Sequence, residues 1–140
     1  MTDLTRLPDW RARFAAEMDR QRQVPFEWGA HDCVSGLAFV AVEALTGVDL
    51  RPDWAGYTTA AGALKKLKSK GHNNLGEMMA SLFPEIPPAL ARVGDLGLIP
   101  TDDAIGAGLC IFDASGVVTL TETGHGRMPR EAATQAFKVG

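Results

Sequence analysis

The sequence predicts an α+β fold, with N-terminal helices that include a central cysteine-bearing helix, packed on a small C-terminal antiparallel sheet. Two observations predict it. Apolar residues recur at helical spacing up to about Phe83, and beyond the Pro-rich break PEIPPALARVGD the pattern turns to short strand-like runs. A third sets the scale: 140 residues can bury one core, and no internal repeat or low-complexity tract divides them. One domain is expected over residues 1–140, with a helical part at about 8–83 and a sheet part at about 94–140.

The first helix is expected from Pro8 to about Arg22. Pro8 suits a first helical turn, and Trp10, Phe14 and Met18 recur every four residues as one apolar face. Arg11, Arg13, Arg20 and Arg22 occupy much of the remainder. The second helix, CVSGLAFVAVEAL over Cys33–Leu45, is apolar all round apart from Ser35 and Glu43, as befits a helix buried on most sides. Asp32 stands at its N-cap and Gly47 at its C-terminal cap. Ser35 occupies the position from which Glu or Gln would complete a capping box.

RPDWAGYTT reads as a loop, in which Trp54 and Tyr57 form an exposed aromatic pair and a candidate contact surface. A third helix is expected from Thr58 or Thr59 to Gly71, with four lysines crowding the end that the helix dipole makes favourable for cations. A fourth is expected over Leu75–Phe83. Strands follow at Leu96–Ile99, Gly108–Phe112, Val117–Thr121 and Ala136–Val139, with ASG as a tight hairpin turn. TETGHGRMP reads as a Gly-rich loop between the last two strands.

Composition narrows the function. Hydrophobic residues make up 46% and charged ones 22%, with a net charge of −3, so neither nucleic-acid binding nor a basic membrane-binding surface is indicated. No window approaches the roughly 18 apolar residues of a membrane span. The stretch MTDLTRLPDWRARF has no apolar run of a signal peptide, which leads us to expect assembly in a cytoplasm. Two cysteines are too few for a disulfide framework and lack metal-ligand spacing, so no metal and no cofactor are expected.

The stretch PFEWGAHDC carries the chemistry. Cys33 opens the buried helix, where free N–H groups and the dipole favour a thiolate, the nucleophilic form. Asp32 opposes this by its own charge. The plain alternative is that Cys33 is a small apolar residue at a helix start. Trp28 and Phe26 are expected to wall the helix entrance, with Trp28 and Asp32 as candidate binding residues alongside Trp54 and Tyr57.

Asp32-Cys33 before Ser35 and Gly36, followed much later by VGDLGLI, resembles the NlpC-type branch of the papain-like cysteine peptidases. PFEWGAHDC, TGVDL, GALKKL, PPALARVGDLGLI and AFKVG together resemble a papain-like family of phage and prophage tail-gene modules, over nearly the whole chain. In active relatives a cysteine on the central helix attacks a peptidoglycan amide and a histidine on the sheet is the base. Cys33 matches that nucleophile, but Gly106 of AIGAGLCIF falls at the histidine position, and Cys110 is read as a packing residue. His125 and His31 are the candidate substitutes. The resemblance thus implies a virion component, a tail-tip or baseplate protein with a degenerate active site, assembled in the host cytoplasm beside other tail proteins. The alternative it implies is an active peptidoglycan-cleaving cysteine hydrolase.

Overall fold

In a computed structural model of the chain, residues 4–54 and 56–140 are described. Helix α1 spans Trp10–Gln21, with Phe14 and Met18 buried as their spacing requires. A π-helical segment, Cys33–Ala38, runs directly into α2, Phe39–Thr46, and Gly47 ends it at φ +80°. Helices α3, Ala60–Ser69, and α4, Leu75–Leu82, are capped by Thr59 and Asn74, whose side chains accept from the backbone N–H groups of Gly62 and Glu77.

Six strands follow: β1 Glu85–Ile86, β2 Leu96–Pro100, β3 Ala107–Asp113, β4 Gly116–Thr121, β5 Gly124–Met128 and β6 Gln135–Phe137. They form one antiparallel sheet in the order β1-β6-β2-β3-β4-β5. The fold is α+β, and the ASG hairpin lies where the sequence places it, with Asp113 opposite Gly116. Two strands depart from expectation. β1 lies inside the Pro-rich break, and its two residues pair with Phe137 and Ala136. β5 is the segment read as a Gly-rich loop. Its glycines carry no strand preference, but each of its residues has a partner on β4, from Met128 opposite Val117 to Gly124 opposite Thr121.

The main core lies between the helices and one face of the sheet. Leu37, Phe39, Val42, Leu45, Leu67 and Met79 meet Leu96, Leu109, Ile111, Leu120 and Phe137 there. The other sheet face holds a smaller cluster around Cys110, Phe112, Val117 and Ala136. Arg130 covers that face: its guanidinium stacks over the Phe112 ring at 4.9 Å and donates to the carbonyls of Pro88 and Ala91. β3 is therefore buried on both faces, which explains its near-continuous apolar run. Among the described residues no helix is long and apolar enough to cross a membrane.

The Gly94-Asp95 turn ties the chain ends together. Asp95 is wholly buried and accepts from Arg92 N, Val139 N and the Arg6 guanidinium at 2.9 Å. Arg6 also donates to the carbonyls of Val139 and Val93.

Candidate functional site

The loop ahead of Cys33 is closed on itself. Glu27 and His31 exchange backbone hydrogen bonds of 3.0 and 2.7 Å, and the turn between them places Gly29 at φ +84°. A Cβ on Gly29 would lie 2.1 Å from the Tyr57 carbonyl oxygen, so only glycine lets the turn approach that segment. The turn delivers Asp32 to the start of the buried helix.

Asp32 is the N-cap. One carboxylate oxygen accepts from Val34 N, Ser35 N and the Ser35 hydroxyl at 2.8–3.0 Å. The other accepts from Gly29 N and from the Tyr57 hydroxyl. Trp54 Nε1 donates in turn to the Tyr57 hydroxyl at 2.7 Å. Burial, then the charge of Asp32, pushes the Tyr57 hydroxyl far up from its ordinary pKa, so it remains a donor. The buried Asp32 carboxyl is thus held entirely by hydrogen bonds, and Ser35 donates its hydroxyl to it rather than accepting from the Asp32 N–H as a capping-box acid would. The expectation of an exposed Trp54–Tyr57 pair is overturned: the two are 3% and 6% exposed, drawn inward because the buried carboxylate needs donors.

Cys33 lines a cleft of about 440 Å³ between the Phe26–Trp28 wall, the turn joining β2 to β3, and the β4–β5 hairpin. Phe26 and Trp28 stand edge to face, ring centroids 5.0 Å apart, and both are half-buried, as the sequence suggested for the helix entrance. The sulfur lies against Leu109 of β3, on the helix-facing side of the sheet. Cys110, the next residue, is fully buried on the opposite face, and both cysteines are free.

The surroundings of Cys33 disfavour the thiolate. Burial pushes its thiol up to about 12, and the charges of Asp32 and Asp103 push the same way. A backbone group of Leu109 works in the other direction but is outweighed. This direction runs against the expectation that the helix terminus would favour the thiolate. The first-turn N–H groups of Val34 and Ser35 already serve the Asp32 carboxylate, and desolvation dominates what remains.

Among the described residues no imidazole lines the cleft. Gly106 lies in the turn before β3 and does not line the cleft; Ala107 does, on the face shared with Leu109. His31 and His125 are brought together, but with each other: their Nε2 atoms lie 3.4 Å apart, and neither lines the cleft. Among the described residues no group of three or more His, Cys, Asp and Glu side chains gathers as a metal site.

Acyl transfer requires a thiolate or a base that makes one. The cleft offers a protonated thiol, a wall of aromatic rings and rim carboxylates. This is an arrangement that can hold a ligand. A family model described as a domain of unknown function (DUF6950) matches residues 5–139 of the chain. No curated protein matches it.

Proposed function

For this chain, which belongs to the DUF6950 family, we propose a papain-like, NlpC-type domain whose catalytic site is degenerate, with a structural or assembly role in a phage tail tip or baseplate, or a related particle. A helix-borne cysteine packed on an antiparallel sheet is the framework that the papain-like resemblance implies. The placement in a tail rests on the sequence resemblance. Its partners are other tail proteins, and it is assembled with them in the host cytoplasm.

The single observation that carries the loss of catalysis is the state of Cys33: a thiol pushed up to about 12 in a cleft that no imidazole lines. At neutral pH the thiolate fraction is then negligible, and general-base assistance, typically worth 10²–10⁴-fold, lacks a proton acceptor. Peptidoglycan remains a ligand this reading allows, but not a substrate.

Two measurements test it. The chain is expected to co-purify with tail tips as a stoichiometric component, and absence from purified particles argues against the assembly role. Peptidoglycan digestion is expected to be absent with both the wild type and Cys33→Ala. Digestion by the wild type that Cys33→Ala abolishes establishes an active hydrolase instead.

A further inference from the structure

The cleft beside Cys33 has a one-sided charge. Asp102, Asp103 and Glu122 lie along it, and among the described residues no Lys, Arg or His lines it. Asp103 is engaged by its own turn, accepting from Thr101 Oγ1, Ile105 N and Gly106 N at 2.9–3.1 Å. Asp102 and Glu122 are exposed and have no hydrogen bond or ion pair among the described residues. The surface between them is largely apolar: Phe26, Trp28, Ile99, Leu109 and Met128, the last 41% exposed at the mouth. The volume, about 440 Å³, falls in the range of roughly 300–1,000 Å³ that takes ligands.

We propose that this groove binds an extended peptide segment of a partner protein in which a lysine or arginine is set among apolar side chains. The proposal rests on the reading of the site as binding rather than cutting, and it adds the chemistry of the partner. Charge complementarity selects the cation. A neutral thiol adds no anion and a carboxylate rim repels acidic segments, while the electron-rich faces of Phe26 and Trp28 also favour a cation. The apolar walls select its neighbours, since covering Met128 and Trp28 removes apolar surface from water. A long side chain suits both demands, with its methylenes along the aromatic wall and its charge at the rim.

The test uses the full chain, wild type and Cys33→Ala, on an array of apolar hexapeptides whose central residue is Lys, Arg, norleucine or Glu. Peptides that bind are followed by calorimetric titration. Binding is expected to concentrate on the Lys and Arg peptides. Asp102→Asn/Glu122→Gln, whose side chains support nothing in the fold, is expected to weaken it about tenfold at low salt. Binding indifferent to the central residue, no binding to any peptide, or no effect of the double substitution overturns the proposal. Concentration-dependent self-association that the double substitution abolishes also overturns it, in favour of a second copy as the occupant. The two readings fail separately. Cleavage of a bound peptide that Cys33→Ala abolishes removes the non-catalytic reading and leaves the groove, whereas no binding and no cleavage removes only the groove.

Discussion

The Nε2 atoms of His31 and His125 meet at 3.4 Å, one on the loop before the Cys33 helix and the other on the edge strand β5. The rings are tilted by 35°, and His125 Nδ1 is buried without a partner among the described residues. The contact fastens the outer hairpin to the loop that positions Asp32. Burial is the main reason both imidazoles titrate below their ordinary 6.5. Arg20 adds to the shift at His31, and His31 itself and Arg22 add at His125, while Asp32 and Glu17 oppose it at His31.

The pH dependence follows from that direction. The unfolded chain takes up these protons at about 6.5 and the folded chain only at lower pH, so their effect on stability is absent above 6.5. Stability is lost as pH falls from there through the folded-state values. Solvent reaches part of His125 and screens it, so the loss is about 1 kcal/mol or less between pH 7 and 5. Thermal melts across that range are expected to show it in the wild type and to flatten in His125→Gln. Equal slopes in the two proteins would remove the pair as their cause.

Gly36→Ala tests the same loop sterically. A Cβ there would sit 2.4 Å from His31 Nδ1 and 2.5 Å from His31 Cα. Since His31 is only 5% exposed, it has little room to yield. A loss of about 1–3 kcal/mol is expected in denaturant unfolding. A neutral result means that the His31 loop is not held as described.

The Cys33 thiol, pushed up to about 12, is expected to alkylate slowly at neutral pH, with no inflection near the free-cysteine value of about 8.5. The free Cys110 is fully buried on the far side of the sheet, so Cys110→Ala isolates the signal of Cys33. A midpoint at or below the free-cysteine value of about 8.5 would show an activated thiolate.

Asp32 holds together residues on both sides of the helix start. Asp32→Ala leaves Val34 N, Ser35 N, Gly29 N and the Tyr57 hydroxyl without their acceptor. A loss of about 2–4 kcal/mol is expected by chemical denaturation. Tyr57→Phe removes one donor and strands Trp54 Nε1, costing about 1–2 kcal/mol. The two losses should fall short of additive in a double-mutant cycle, because they share one bond.

Asp95→Ala leaves the Arg6 guanidinium, only 8% exposed, without its carboxylate. Breaking a buried pair from one side costs about 3–5 kcal/mol. Replacing both residues with apolar ones is expected to cost less, and a larger loss in the double variant would contradict the account.

Much of the fold was legible because its cues are local. The spacing of Trp10, Phe14 and Met18 places α1 to within two residues at either end. Asp32 and Gly47 mark the ends of the buried helix because capping is a matter of neighbouring backbone groups. β5 was illegible for the converse reason: GHGRM has no strand pattern of its own and is made a strand by the row of partners on β4.

The site divides along the same line. The sequence by itself determined that helices precede an antiparallel sheet and that Cys33 stands at the tip of a buried helix. Its later stretch AIGAGLCIF supplies no histidine to the strand. Only the tertiary structure decided that Tyr57 turns inward to Asp32 across 25 residues, that His125 meets His31 across 94, and that burial pushes the Cys33 thiol up. Capping and periodicity are set by adjacent residues, whereas desolvation and long-range hydrogen bonds exist only once the chain has enclosed them.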